Sequence, residues 1–120
     1  MYAEKILNGE KKFEYRKKLC KKDIKKIYVY ATMPVKKIIG EVKVVKKLEM
    51  DKEELWKKTQ EYSGTSKAFY DKYFEKQELA CAYQLGEVKR YDYPITLESQ
   101  GIQAVPQSFM YCEELKINFF

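Results

Sequence analysis

Alternating and continuous apolar positions predict a chain dominated by β-strands. Strands are indicated where β-branched and aromatic residues alternate with polar ones, or run together between turn residues. By this criterion the predicted strands cover residues 13–17, 27–31, 37–48 and 79–91, with a short strand at 95–97 and a final one at 106–113. A turn is predicted at residues 21–23, between the first two strands.

Helical spacing of apolar residues is confined to three short segments. Residues 2–7 form the first predicted helix, which an Asn-Gly pair ends. Asp51 is predicted to cap a second helix, and Thr65 or Ser66 a third. The aromatic residues on these two helices are interpreted as core residues; they are Trp56, Phe69, Tyr70, Tyr73 and Phe74.

The order of these elements predicts an α+β fold that is mainly β. The two longest strands contain Gly40 and Gly86, and an internal glycine often marks a bulge or bend where a sheet curls. The helices interrupt the strands instead of alternating with them, which argues against a doubly wound α/β fold. We therefore expect a single domain over residues 1–120, built as a small curled β-sheet or barrel with short helices packed on it.

The distribution of charge along the sequence indicates what kind of partner the protein binds. The formal net charge is +6, with +9 carried by residues 1–50 and −3 by residues 51–120. A basic half attracts phosphates, which indicates a polyanion such as nucleic acid. Lysines make up 22 of the 24 cations, however, and a lysine-rich solvated surface would give the same numbers. Charge alone leaves both interpretations open.

The histidine and cysteine content excludes several kinds of site. The sequence has no histidine, and its three cysteines, Cys20, Cys81 and Cys112, are widely spaced. Closely spaced zinc ligands, Ser–His triads and Cys–His dyads are therefore excluded, and we expect neither a metal nor another cofactor. Scattered cysteines are typical of reduced thiols in a cytoplasmic protein. No apolar run approaches the ~20 residues that cross a bilayer, so we expect no membrane association.

The segment GEKKFEYRKK near the N-terminus concentrates the charge. As a strand it places Phe13 and Tyr15 on one face and Lys12, Glu14 and Arg16 on the other. Arg16 is one of only two arginines, and its planar fork can grip a phosphate or a carboxylate with two bonds. A simple salt bridge between Arg16 and Glu14 is the alternative. Periodicity does not decide whether this face is solvated or lines a site.

The same segment carries a family resemblance. Gly9, Lys11, Glu14 and Arg16 form the pattern G-x-K-x-x-E-x-R directly after the first predicted helix, which resembles the signature of the ASCH domain. The similarity continues through IYVYATMPVKKIIGEV, ELWKKTQEYSGTSKAFYDKYF, AYQLGEVKRYDYPITL and PQSFMYC, and so covers nearly the whole chain. It looks like the small prokaryotic branch labelled predicted transcriptional regulators. The resemblance implies a PUA-like β-barrel that binds RNA or related polyanions in a cleft beside the barrel.

Two departures from the family pattern change what the resemblance implies. Relatives usually begin with a strand that ends in Lys-Pro, whereas Met1 lies almost at the first helix here. That strand is therefore expected to be missing from this sequence, either because it lies upstream of Met1 or because the sheet is completed in another way. If the barrel edge is open, we expect a monomer or a weak dimer paired through it. One branch hydrolyses acetylated cytidine with a threonine nucleophile at the position of Glu14, beside a lysine that matches Lys11. Glu14 cannot repeat that chemistry, so we do not expect the threonine-dependent amidohydrolase.

The sequence therefore predicts a cytoplasmic module that binds nucleic acid, RNA in particular, and regulates transcription or translation. We favour such a binding module over an enzyme, and a regulator that binds a small molecule or a protein in the same cleft is a third option. The alternative is a hydrolase acting on RNA or a modified nucleoside, with Lys11 and Glu14 as acid–base groups. The candidate binding residues come from the signature, the turn after residue 31 and the final strand; they are Lys11, Lys12, Glu14, Arg16, Tyr30, Thr32, Lys36, Gln107 and Ser108.

Overall fold

Up to residue 91 the helices and strands follow the predicted order, and the separate strand predicted at 95–97 is replaced by a continuation of the preceding strand to Thr96. The computed structural model describes residues 2–19, 21, 24–31 and 37–96. Within them the elements are α1 (Tyr2–Leu7), β1 (Phe13–Arg16), β2 (Lys26–Ala31), β3 (Lys37–Asp51), α2 (Lys52–Thr59), a short 3-10 helix (Gln60–Tyr62), α3 (Lys67–Tyr73) and β4 (Leu79–Thr96). The predicted turn at 21–23 lies partly, and the predicted strand at 106–113 entirely, outside the described residues.

The described strands form one antiparallel four-stranded sheet in the order β1-β4-β3-β2. Its long central pair, β3 and β4, shifts register between Ile38 and Gly40 and again on either side of Val44. Such irregularities bend and twist a sheet locally. The irregularity predicted at Gly40 is therefore confirmed.

The sheet carries a hydrophobic core on each of its faces. Ile6 of α1 packs in one cluster with Val29 and Tyr83. Leu55 of α2 packs in a second cluster with Ala82. The side chains of adjacent strand residues point to opposite faces of a sheet. Because Ala82 and Tyr83 are adjacent in β4 and belong to different clusters, the two clusters lie on opposite sides of β4. Helix α1 therefore covers one side of the sheet, and α2 and α3 cover the other.

Both later helices begin at residues that the sequence predicts as caps. The Asp51 carboxylate accepts a hydrogen bond from the Glu53 backbone N–H at 3.1 Å. Of the two candidates for α3, Ser66 is the cap and not Thr65, because the Ser66 hydroxyl accepts from the Phe69 backbone N–H at 3.1 Å. Each bond satisfies an N–H group that the first helical turn leaves without a backbone partner.

The prediction that all five helix aromatics are core residues is only partly correct. Tyr70 and Phe74 are fully buried, and Trp56 and Tyr73 are partly buried against them. Phe69 is half exposed, because it lies on the outer side of α3 and stacks on Tyr73 one turn further along, with ring centroids 6.2 Å apart. An exposed aromatic therefore stands on this face of the molecule.

The α+β class, mainly β, is confirmed. Closure of the sheet into a barrel stays a prediction, because the described strands place β1 and β2 at the two edges of the sheet. Pairing of two chains through such an edge also stays a prediction. In the part of the chain that the structure describes, no helix combines the length and apolar character needed to cross a membrane.

Candidate functional site

A tight connection between α1 and β1 places the charged signature against the sheet. The end of the helix closes with a hydrogen bond from the Gly9 backbone N–H to the Ile6 carbonyl at 3.2 Å, and Gly9 has a positive φ of 85°. The Lys11 backbone N–H then donates to the Lys5 carbonyl at 3.0 Å. The chain therefore reverses direction directly after α1, and Lys11 is buried just before β1 begins.

Glu14 and Arg16 form a buried ion pair on one face of β1. Two residues apart on a strand, they point to the same side, and Glu14 Oε1 lies 3.6 Å from Arg16 Nη1. Each residue is only 8% exposed. Among the residues that the structure describes, Glu14 Oε2 is buried and has no hydrogen-bond partner. A carboxylate oxygen in this state is costly to bury and is suited to accept a proton or a hydrogen bond from a ligand.

Lys11 is a buried lysine whose side chain lies against the segment after the 3-10 helix. Its ammonium donates to the Ser63 carbonyl at 2.6 Å and sits 5.1 Å from the centroid of the Tyr15 ring. The stem crosses Gly64 so closely that a Cβ on Gly64 would lie 2.7 Å from Lys11 Cβ. Gly64 also has a positive φ of 67°, a conformation that glycine adopts without strain. Both features show that a glycine at position 64 leaves the space in which the Lys11 side chain packs, and this packing is called the seat of Lys11 below.

Burial shifts the pKa values of Glu14 and Lys11 towards each other. Removal from water raises the pKa of the Glu14 carboxyl, although the positive charges of Arg16 and Lys11 oppose the shift. The same effect lowers the pKa of the Lys11 ammonium, and Glu14 opposes it there while Arg16 adds to it. A carboxylate made more basic beside an ammonium made more acidic is an arrangement suited to proton transfer.

The opposite face of β1 anchors the site to α2. The Tyr15 hydroxyl and Thr59 Oγ1 share a buried hydrogen bond of 2.6 Å, and Thr59 Oγ1 also donates to the Leu55 carbonyl at 2.8 Å. Tyr15 packs edge-on against Tyr70, with ring centroids 4.9 Å apart. The strand that carries the buried ion pair is therefore held by a hydrogen bond and by aromatic packing.

The predicted site residues divide into three groups. Lys11, Glu14 and Arg16 are brought together, and these three residues are called the buried charge cluster below. Lys12 is exposed, with its ammonium 4.3 Å from the centroid of the Tyr62 ring. Tyr30 is buried on β2, the other edge strand. The remaining candidates lie outside the described residues and stay predictions; they are Thr32, Lys36, Gln107 and Ser108.

Sequence reasoning missed the part that residues 62–64 play. From the sequence alone, Ser63 and Gly64 indicate the end of a helix, with a phosphate at the N-terminus of the following helix as the weaker alternative. In the structure their carbonyls accept hydrogen bonds from two lysines, Lys11 to Ser63 and Lys5 to Gly64, the latter at 3.2 Å. The available signal is the glycine, since a glycine after a helix indicates a positive φ and space for a neighbouring chain. The glycine does not indicate which side chain fills that space.

Comparison with known proteins places this site in a family. A family model of the ASCH domain matches residues 1–89. A curated ASCH domain-containing ribonuclease from Zymomonas mobilis is 32% identical over 85 residues, which cover 70% of this chain and 57% of that protein. This chain therefore spans little more than half the length of the curated relative.

Solved structures give the same assignment. The crystal structure of ASCH from Zymomonas mobilis matches with a TM-score of 0.80 and 28% identity, over 94% of this chain and 82% of that chain. A variant of that protein with phenylalanine in place of a tyrosine matches with a TM-score of 0.80 and 27% identity, over 94% and 84% of the two chains. A serine-to-alanine variant gives 0.78 and 29%, over 88% and 78%.

The comparisons correct one prediction and confirm another. The preference for a module without catalytic activity is contradicted, because the curated relative is a ribonuclease. The family prediction is confirmed by the family model, whose match includes the whole G-x-K-x-x-E-x-R signature, and by the structural similarity. This chain belongs to the ASCH domain family.

Proposed function

We propose that this chain hydrolyses RNA, with Glu14 and Lys11 as the proton-transfer groups and Arg16 as the phosphate ligand. The observation that carries the proposal is the buried Glu14 carboxyl, which has a raised pKa and one oxygen without a hydrogen-bond partner among the described residues. A relative that shares about a third of its residues over the aligned region and is named a ribonuclease supports the same activity.

RNA supplies its own nucleophile, the 2′-hydroxyl next to each phosphate. In the proposed reaction the 2′-oxygen forms a bond to phosphorus while the bond from phosphorus to the 5′-oxygen of the next nucleotide breaks, which gives a 2′,3′-cyclic phosphate and a free 5′-hydroxyl. Water then attacks the phosphorus of the cyclic phosphate and its bond to the 2′-oxygen breaks, which completes the hydrolysis. The proton of the 2′-hydroxyl passes to Glu14 Oε2. A base is most effective when its pKa is close to the working pH, so burial that raises the pKa of Glu14 strengthens it for this role.

The leaving 5′-oxygen needs a proton, and the phosphate needs a counter-charge. Lys11 is suited to donate the proton, because burial lowers its pKa and makes its ammonium a stronger acid than that of an exposed lysine. Arg16 offers guanidinium N–H groups that match phosphate oxygens, and it lies next to Glu14 on the same strand face. The phosphate would then bind between Arg16 and the two proton-transfer groups, where its developing negative charge is stabilised.

The proposal is tested by exchanging the carboxyl for its neutral isostere. We expect Glu14→Gln to lower the single-turnover rate of cleavage of a labelled single-stranded RNA by about 100-fold or more, the usual range for loss of a general base. Binding of a non-cleavable 2′-O-methyl RNA, measured by fluorescence anisotropy, should change by no more than about twofold, because an amide keeps the shape of the site.

Glu10→Gln is the matched control, since Glu10 lies on the same segment but is exposed. The control should cleave at the wild-type rate. Equal rates for Glu14→Gln and wild type would refute the role of Glu14, and a wild-type chain that cleaves no RNA would refute the function itself.

A further inference from the structure

We propose that Tyr62 and Lys12 form a subsite that stacks one base of a single-stranded RNA beside the buried charge cluster. The inference rests on the proposed function and adds the nucleotide that this chain holds next to the reacting phosphate. Tyr62 is 40% exposed, and Lys12 is exposed with its ammonium 4.3 Å from the centroid of the Tyr62 ring. We refer to these two side chains as the stacking subsite.

Backbone hydrogen bonds hold the stacking subsite in place. The Lys12 backbone N–H donates to the Tyr62 carbonyl at 2.8 Å, and the Lys12 carbonyl accepts from the Leu85 backbone N–H of β4, also at 2.8 Å. Tyr62 is the last residue of the 3-10 helix and is followed by the buried Ser63. The backbone that carries the Tyr62 ring is therefore already ordered, and it loses little conformational freedom when a base stacks on the ring, which favours binding.

Three lysine side chains contact residues 62–64 and bring positive charge to this segment. The Lys12 ammonium lies over one face of the Tyr62 ring, Lys11 donates to the Ser63 carbonyl and Lys5 donates to the Gly64 carbonyl. Three ammonium groups therefore converge on residues 62–64. A cluster of this kind attracts a phosphate backbone, while the exposed aromatic ring offers a flat surface to any base.

The stacking subsite adjoins the proposed reaction centre. Lys12 directly precedes β1, so it lies only two residues along the chain from Glu14. On the Tyr62 side, Ser63 holds the Lys11 ammonium directly. A nucleotide stacked on Tyr62 would thus place its phosphate towards Arg16 and Glu14. Bases of a duplex are already stacked on each other, so the subsite fits single-stranded RNA.

The test measures binding of a non-cleavable 2′-O-methyl single-stranded RNA by fluorescence anisotropy. We expect Tyr62→Ala to weaken binding by about 5- to 150-fold, the range found when one base loses an aromatic stacking partner. Tyr62→Trp should bind as tightly as wild type, because the indole ring stacks equally well. Phe69→Ala is the matched control, since Phe69 is an aromatic residue on α3 that is 50% exposed, and it should bind like wild type.

A second measurement locates the base. RNAs that lack one base at a time are titrated against wild type and Tyr62→Ala. One abasic position should weaken wild-type binding by the same factor as Tyr62→Ala does, and the variant should be insensitive to that position. Binding that is unchanged in Tyr62→Ala, or lowered equally in Phe69→Ala, would overturn the subsite while leaving cleavage by the wild type intact. A wild type that neither cleaves nor binds RNA would overturn the proposed function and the subsite together.

Discussion

Replacing Gly64 by alanine probes how the fold seats Lys11. The new Cβ would lie 2.7 Å from Lys11 Cβ, 2.9 Å from its Cγ and 3.0 Å from its Cδ. Contacts this short force the Lys11 stem, or the segment that carries residue 64, to move. The movement would lengthen or break the 2.6 Å hydrogen bond from the Lys11 ammonium to the Ser63 carbonyl. We therefore expect Gly64→Ala to lower both stability and RNA cleavage.

The expected loss of stability has two parts. A non-glycine residue at the positive φ of residue 64 costs about 1–2 kcal/mol of unfolding free energy. Forcing an extra carbon into the packed Lys11 contact costs about 1–3 kcal/mol more. The sum is a loss of about 2–5 kcal/mol. A displacement of about 1 Å at a reacting group can cost about 100-fold in rate, so we expect cleavage to fall by about 10- to 100-fold.

Gly9→Ala separates these two parts. Gly9 also has a positive φ, 85°, but a Cβ there would meet no atom within 4 Å. Its replacement should therefore cost only the backbone strain, about 1–2 kcal/mol, and leave cleavage unchanged. Urea denaturation followed by circular dichroism gives the unfolding free energies, and single-turnover cleavage gives the rates. A Gly64→Ala protein that loses no more stability and activity than Gly9→Ala would refute the proposed seating of Lys11.

Three further predictions concern the buried charge cluster and its support. The pH dependence of kcat/KM should be bell-shaped. Activity should rise as Glu14 loses its proton, at a pH above the ordinary carboxyl pKa of 4.5, and should fall as Lys11 loses its proton, at a pH below the ordinary lysine pKa of 10.5. Limbs at the two ordinary pKa values would contradict the assignment. Tyr15→Phe should lower the unfolding free energy by about 0.5–1.5 kcal/mol in urea denaturation, since it removes the buried hydrogen bond to Thr59, and a loss below about 0.2 kcal/mol would show that the bond contributes nothing. Leu55→Ala should lower it by about 2–5 kcal/mol through a cavity under β1, and a loss typical of an exposed site, below about 0.5 kcal/mol, would contradict the burial.

Local signals were sufficient for the helix caps and for the two faces of β1. The helix caps at Asp51 and Ser66 depend on bonds within one turn, so the sequence predicts them well. The alternation along β1 correctly places Glu14 and Arg16 on one face and Tyr15 on the other. These features depend on neighbours a few residues apart, and such neighbours are visible in the sequence.

Features set by distant residues could not be predicted in the same way. The seat of Lys11 joins residues 52 positions apart, and nothing in the spacing of Lys11 and Ser63 indicates their contact. Strand β4 continues through a proline to Thr96, because Ile95 pairs with Ile38 of β3, whereas the sequence predicts a separate short strand there. Tertiary pairing overrides the local turn signal in this case.

The most direct test of the account asks whether Lys11 and Glu14 act as one proton-transfer unit. Single-turnover RNA cleavage is measured for Lys11→Met, Glu14→Gln and the double variant, with equal binding of 2′-O-methyl RNA as the condition for comparison. When two groups act as one unit, the losses in rate that their single replacements cause are not additive. The rate of the double variant should therefore lie within about threefold of the rate of the slower single variant. Losses that multiply in the double variant, or a Glu14→Gln protein that cleaves at the wild-type rate, would contradict the central claim.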